Sequence, residues 1–138
     1  MAKVPLKSRE DLSEVGQQVF DKIAGTRGRA LNVFRALLNS PDTASAVASL
    51  GEYIRYNSKL DPAVRETAIL ATARELGAEY EWAHHEPAAR EAGVRDVVIE
   101  SVRSGKAPMG LPPKEGVFVQ AAKELTRGTA LTDRTHQA

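Results

Sequence analysis

"DPAVRETAILATARELGAEYEWAHHEPAAREAG", Asp61 to Gly93, decides the fold. Asp61-Pro62 is a start signal: an acid able to cap a helix, then proline at the first helical position, where no N–H is needed. Gly77 is a stop and Gly93 a second one. Between them lie two helical patterns. In the first, Ile69, Leu70, Ala73 and Leu76 form one apolar sector at about 100° per residue, and Glu66 lies in the same sector one turn earlier. A carboxylate leading an apolar stripe must sit at a wet rim or have a partner, because burying it alone is costly. The bland reading is a first-turn glutamate favoured by the helix dipole.

In the second pattern Trp82, His85, Ala89 and Ala92 share a face. Glu81 lies four residues before His85, so the two side chains can meet. His84, Glu86, Arg90 and Glu91 fall on other directions and read as solvated. Adjacent helical residues point about 100° apart, so His84 and His85 cannot both ligate one ion, and no metal is expected. Pro87 cannot donate to the carbonyl of Ala83, which predicts a kink or a fresh helical start just after His85. A lone inward histidine is more often a satisfied core residue than a reactive one. If the two helices pack antiparallel across Gly77, however, Glu66 and His85 approach, and a partly buried Glu–His pair is equipment for proton transfer.

The rest of the chain extends the same pattern. Ser8 predicts a first helix to about Ala24 with Leu12, Val15, Val19 and Ile23 on one face. A second runs from about Ala30 to Asn39. Pro41 opens a third, with Ala46, Leu50, Tyr53 and Ile54 on one side. "VRDVVIESVRSG" is a sixth helix, "KAPMGLPPKEG" (Lys106 to Gly116) a loop with three prolines, and a seventh helix follows to about Arg127. "TALTDRTHQA" starts another. No stretch alternates long enough to be a strand. The expectation is an all-α fold of about six to eight helices in a single domain, 1–138, with its core at about 29–127.

Composition narrows the function classes. The 138 residues carry 19 basic and 18 acidic side chains, net +1, which gives no electrostatic reason to expect nucleic acid or an anionic membrane. No apolar run is long enough for a bilayer, and the N-terminus lacks a secretory core, so the expected location is cytoplasmic. With no cysteine there is no thiol chemistry and no zinc–thiolate site.

From Arg65 to Val94 the chain resembles the carboxymuconolactone decarboxylase and alkylhydroperoxidase D-like superfamily. The pieces that carry the likeness are an Arg-Glu leading an apolar helix, a Glu-Trp-x-x-His segment, then Ala-rich sequence and Gly-Val. The resemblance implies an all-helical homo-oligomer, a trimer or hexamer, acting on a small-molecule substrate. In the peroxidase branch a glutamate and a histidine flank two cysteines. Those cysteine positions fall on Ala78 and Glu81 here, while Glu66 and His85 match the proton relay. Peroxide reduction by thiolate is therefore rejected. The decarboxylase branch needs no cysteine and no cofactor, and it implies acid–base catalysis, decarboxylation or related lyase or isomerase chemistry, on a small carboxylated lactone or carbonyl compound, with His85 as proton donor and Glu66 orienting it. Glu81 is then a second acid, and Trp82 and Arg65 are candidates for substrate binding. Members of this look often continue with a further long helix after a segment like "LTDRTHQA". The rival reading is a non-catalytic oligomeric helical protein with a structural Glu66–His85 pair. A cavity reaching the imidazole separates the two.

Overall fold

The computed structural model describes residues 3–105, 111, 113–128 and 130–138. Among these residues there are eight α-helices and no strand. No helix is long and apolar enough to cross a membrane. Contacts group the chain into two compact units, 1–59 and 60–138.

The first unit holds α1 (Glu14–Arg27), α2 (Asn32–Leu37) and α3 (Pro41–Glu52). Its first helix starts later than the sequence suggests. Ser8 and Asp11 do form a capping box, but around a single 3₁₀ turn, Arg9–Asp11. Ser13 caps α1 instead, its side chain accepting from the Gly16 N–H. Gly16 is buried, and a β-carbon there would sit 3.0 Å from Leu12 Cβ and 3.4 Å from the Pro41 ring. Ile23, Leu38, Ala44 and Ala48 form the core, with Leu12, Val19, Phe20 and Phe34 packed on it. Arg27 stacks 4.6 Å over Phe34 and donates to the carbonyl of Ala48 at 2.9 Å.

Two expected faces are corrected here. Val15 is exposed. Helix α3 turns Ala44 and Ala48 inward, not the side with Ala46, Leu50, Tyr53 and Ile54. Leu50 is 61% and Tyr53 59% exposed. Small side chains let α3 lie close against α1, which leaves its large ones outside. After Glu52 the helix widens into one π-helical stretch, Tyr53–Asn57.

The second unit holds α4 (Pro62–Leu76), α5 (Glu79–Glu91), α6 (Asp96–Ser104), α7 (Pro113–Arg127) and the short α8 (Asp133–His136). Helix α4 is central and packs on α5, α6 and α7. Its start is as read: Asp61 Oδ1 accepts from the N–H groups of Ala63 (2.9 Å) and Val64 (3.2 Å). Gly77, at φ 62°, ends it in the left-handed region. The N–H of Ala78 then returns to the carbonyl of Ala73, and that of Gly77 to Arg74, which satisfies the end of the helix and reverses the chain. Helix α5 runs unbroken through Pro87, so the expected fresh start after His85 does not occur. The core is Leu70, Ala71, Ala89, Val94, Val98, Ile99, Val102, Val119 and Ala122. The proline loop expected from Lys106 lies outside the described residues over 106–110 and 112. From Pro113 the chain is already helical, with proline at the start of α7.

Candidate functional site

Because only Gly77 and Ala78 separate α4 from α5, the two helices fold back on each other and bring Glu66 to His85. Glu66 is 1% exposed. Its Oε2 lies 2.7 Å from His85 Nδ1. Its Oε1 accepts from Arg65 Nε at 3.3 Å. A buried carboxylate is thus held by a guanidinium on one oxygen and an imidazole on the other, which offsets the cost of desolvating it. The hydrogen bond also selects the tautomer. With the Glu66 carboxylate as acceptor, Nδ1 carries the proton and Nε2 is the ring nitrogen on the Glu81 side.

Nε2 faces the outer edge of the site. The imidazole side chain is 18% exposed, and Glu81 Oε2 stands 3.6 Å from Nε2. Glu81 itself is 43% exposed. The three groups therefore run from the interior outward: Glu66, His85, Glu81. Glu81 also lines an open cleft of about 350 Å³ between α4 and the start of α5, with Ala68, Ile69, Thr72, Leu76 and Ala78.

His84 is not part of this row. Its Nδ1 lies 2.9 Å from the Tyr80 carbonyl and its ring is stacked at 4.2 Å on Tyr80, on the exposed side of α5. Arg65, a candidate for substrate binding, is 13% exposed and occupied with Glu66. Trp82 faces elsewhere than the Glu81 cleft. It lines a second cleft, of about 310 Å³, with Arg74, Gly77, Glu79 and Arg103. Its indole N–H donates to Glu86 Oε2 at 2.8 Å, and Arg103 lies 5.0 Å from its ring.

Glu86 was read as solvated, and this is corrected by its partners. Besides Trp82 it binds Arg90 at 3.1 Å and Arg103 at 2.5 Å. The Trp82 hydrogen bond, then those of the two arginines, hold its carboxyl below the ordinary glutamate range. The spacings of Trp82–Glu86 and Glu86–Arg90 are both four residues and were visible in the sequence. Arg103 comes from α6, and no local pattern announces it.

Neither the curated proteins nor the solved structures give a match to this chain. One family model does, that of the carboxymuconolactone decarboxylase family, over residues 41–124. That span is more than half of the chain and includes Glu66, Glu81 and His85, with an all-helical fold throughout its described part. The chain accordingly belongs to the carboxymuconolactone decarboxylase family.

Proposed function

We propose that this protein is a cofactor-free acid–base catalyst in which His85 moves a proton at Nε2, on a small carbonyl compound or lactone, carboxylated or not. The observation that carries the reading is the 2.7 Å contact between the buried Glu66 carboxylate and His85 Nδ1, on a ring whose other nitrogen points outward to Glu81. Glu66 fixes the ring's orientation and tautomer, and stabilises it when it takes a second proton. Glu81 relays protons between His85 and the cleft.

The chemistry suited to such a row is carbon acid–base work next to a carbonyl. In decarboxylation, the electrons of the breaking carbon–carbon bond pass to the carbonyl oxygen as an enolate, carbon dioxide departs, and His85 returns a proton to carbon. In isomerisation the bond that breaks is C–H and the same histidine first removes that proton. A purely structural Glu–His pair is the competing assignment. His85 itself lines neither of the two clefts described above; the partial exposure of its ring, and its neighbour Glu81 on an open cleft, are what favour the catalytic assignment.

The exposed Val47 and Leu50 on α3, and Tyr53 just after it, support self-association into a homo-oligomer. A single-domain, cytoplasmic protein with no metal or nucleic-acid partner completes the proposal. The test is a turnover screen over small lactones and ketones, each with and without a carboxylate. His85→Ala and Glu66→Gln each lower turnover of any substrate found by roughly a hundredfold or more. Wild-type turnover in both variants rejects the assignment.

A further inference from the structure

Glu81, the outer member of the row Glu66–His85–Glu81, lines one cleft, and the chemistry of that cleft constrains what can enter it. Its walls are Ala68, Ile69, Thr72, Leu76 and Ala78, which offer methyl and methylene surface and one hydroxyl. The charged group among its lining residues is Glu81, an acid. No lining residue is a lysine or arginine. The charges behind it do not reverse this. Arg65 is paired with Glu66, and even a doubly protonated His85 does no more than balance Glu81. With both carboxylates ionised the four groups sum to no more than neutrality, so they present no net positive charge to an anion.

Resting on the proposed role of this row, we infer that the cleft takes an uncharged, mainly apolar carbonyl compound or lactone, and discriminates against carboxylated ones. Shape and charge agree on this. A volume of about 350 Å³ suits a small molecule with one ring or a short branched chain. Burying its apolar part against Ile69 and Leu76 supplies the affinity. Its one polar group lies at Glu81, and a donor or an acidic C–H is favoured there. A carboxylate brought to within a few ångströms of Glu81 meets like-charge repulsion in a partly desolvated place. The inference narrows the substrate class from acids and neutral compounds to the neutral ones. Loss of carbon dioxide then becomes the less fitting of the two reactions, and proton transfer without it the better fit.

The test uses the full chain and two probes matched in shape, methyl phenylacetate and phenylacetate, each titrated into ¹⁵N-labelled protein. The ester shifts the amide signals of Ala68, Ile69, Thr72, Leu76 and Ala78 saturably, and phenylacetate binds there roughly tenfold or more weakly. Glu81→Gln narrows that gap by strengthening phenylacetate, while Ala68→Phe, which fills the cleft, abolishes the shifts from the ester. Equal or tighter binding of phenylacetate to the wild type overturns the inference, as does failure of both probes to move these signals. The same signals shifting with protein concentration alone also overturn it, because a second copy then occupies the cleft. Binding is read here without turnover. Ester binding together with full activity in His85→Ala therefore sinks the relay and leaves the cleft's selectivity standing, and preference for phenylacetate together with an inactive His85→Ala does the reverse.

Discussion

Replacing Glu66 by alanine is the sharpest test of how the site is held. The carboxylate side chain is 2% exposed and accepts from two donors on different residues, Arg65 at 3.3 Å and His85 at 2.7 Å. Removing it takes this acceptor from Arg65 and His85 and opens a void beneath them. Breaking a buried ion pair by deleting one partner costs about 3–5 kcal/mol. For a chain of 138 residues each kcal/mol moves the melting temperature by about 3–4 °C, so the expected fall is about 9–20 °C. Glu66→Gln keeps the volume and one acceptor but turns an NH₂ toward the other donor. Its expected cost is smaller, about 1–3 kcal/mol. Thermal and urea unfolding followed by far-UV circular dichroism read both. A double-mutant cycle with His85→Ala isolates the pair and gives a coupling of about 0.5–3 kcal/mol. A melting temperature within 3 °C or so of wild type for the alanine variant refutes the reasoning, since it means the carboxylate is solvated or replaceable.

Three further outcomes follow from the packing and the charges. Leu70→Ala, at the centre of the second core and 1% exposed, lowers unfolding free energy by about 2–5 kcal/mol in urea melts. Asp61→Ala removes the acceptor for the Ala63 and Val64 N–H groups and costs about 0.5–2 kcal/mol, with little effect from Asp61→Asn. Glu124 is held at about 2 against an ordinary 4.5, first by the Gln120 amide and then by Thr132 and Thr135. Because its folded value is depressed, it contributes stability above the ordinary range, and that contribution is lost as pH falls from about 4.5 through about 2. A carboxyl carbon titration with its midpoint at the ordinary glutamate value contradicts this.

The helical hairpin was legible because its punctuation is unambiguous. Asp61-Pro62, Gly77 and Gly93 each have one strong local meaning, and the period between them puts Glu66 and His85 where a two-residue connection lets them meet. The family was legible from the same stretch. Elsewhere local signals misled. Ser8 looks like a helix cap, yet it serves only one 3₁₀ turn, because Ser13 caps the helix that follows. In α3 the period was right and the face wrong, since amphipathic patterning counts Leu50 and Tyr53 as core while close packing against α1 selects Ala44 and Ala48. Helix α5 absorbs Pro87 without restarting. Glu86 was missed although two of its three partners lie at helical spacing; the third, Arg103, arrives from the next helix, α6, with no local signal.

The tight Gly77–Ala78 reversal has a consequence for how the Glu66–His85 pair comes into being. Glu66 and His85 are only 19 positions apart, joined by one closed hairpin. Bringing them together requires a small loop to close, and local contacts of this kind form among the earliest in folding. The geometry of the pair is thus written into a self-contained stretch of chain, and its register is unforgiving. One residue inserted within α5 ahead of His85 would swing the imidazole about a hundred degrees from its carboxylate, with every other helix unchanged.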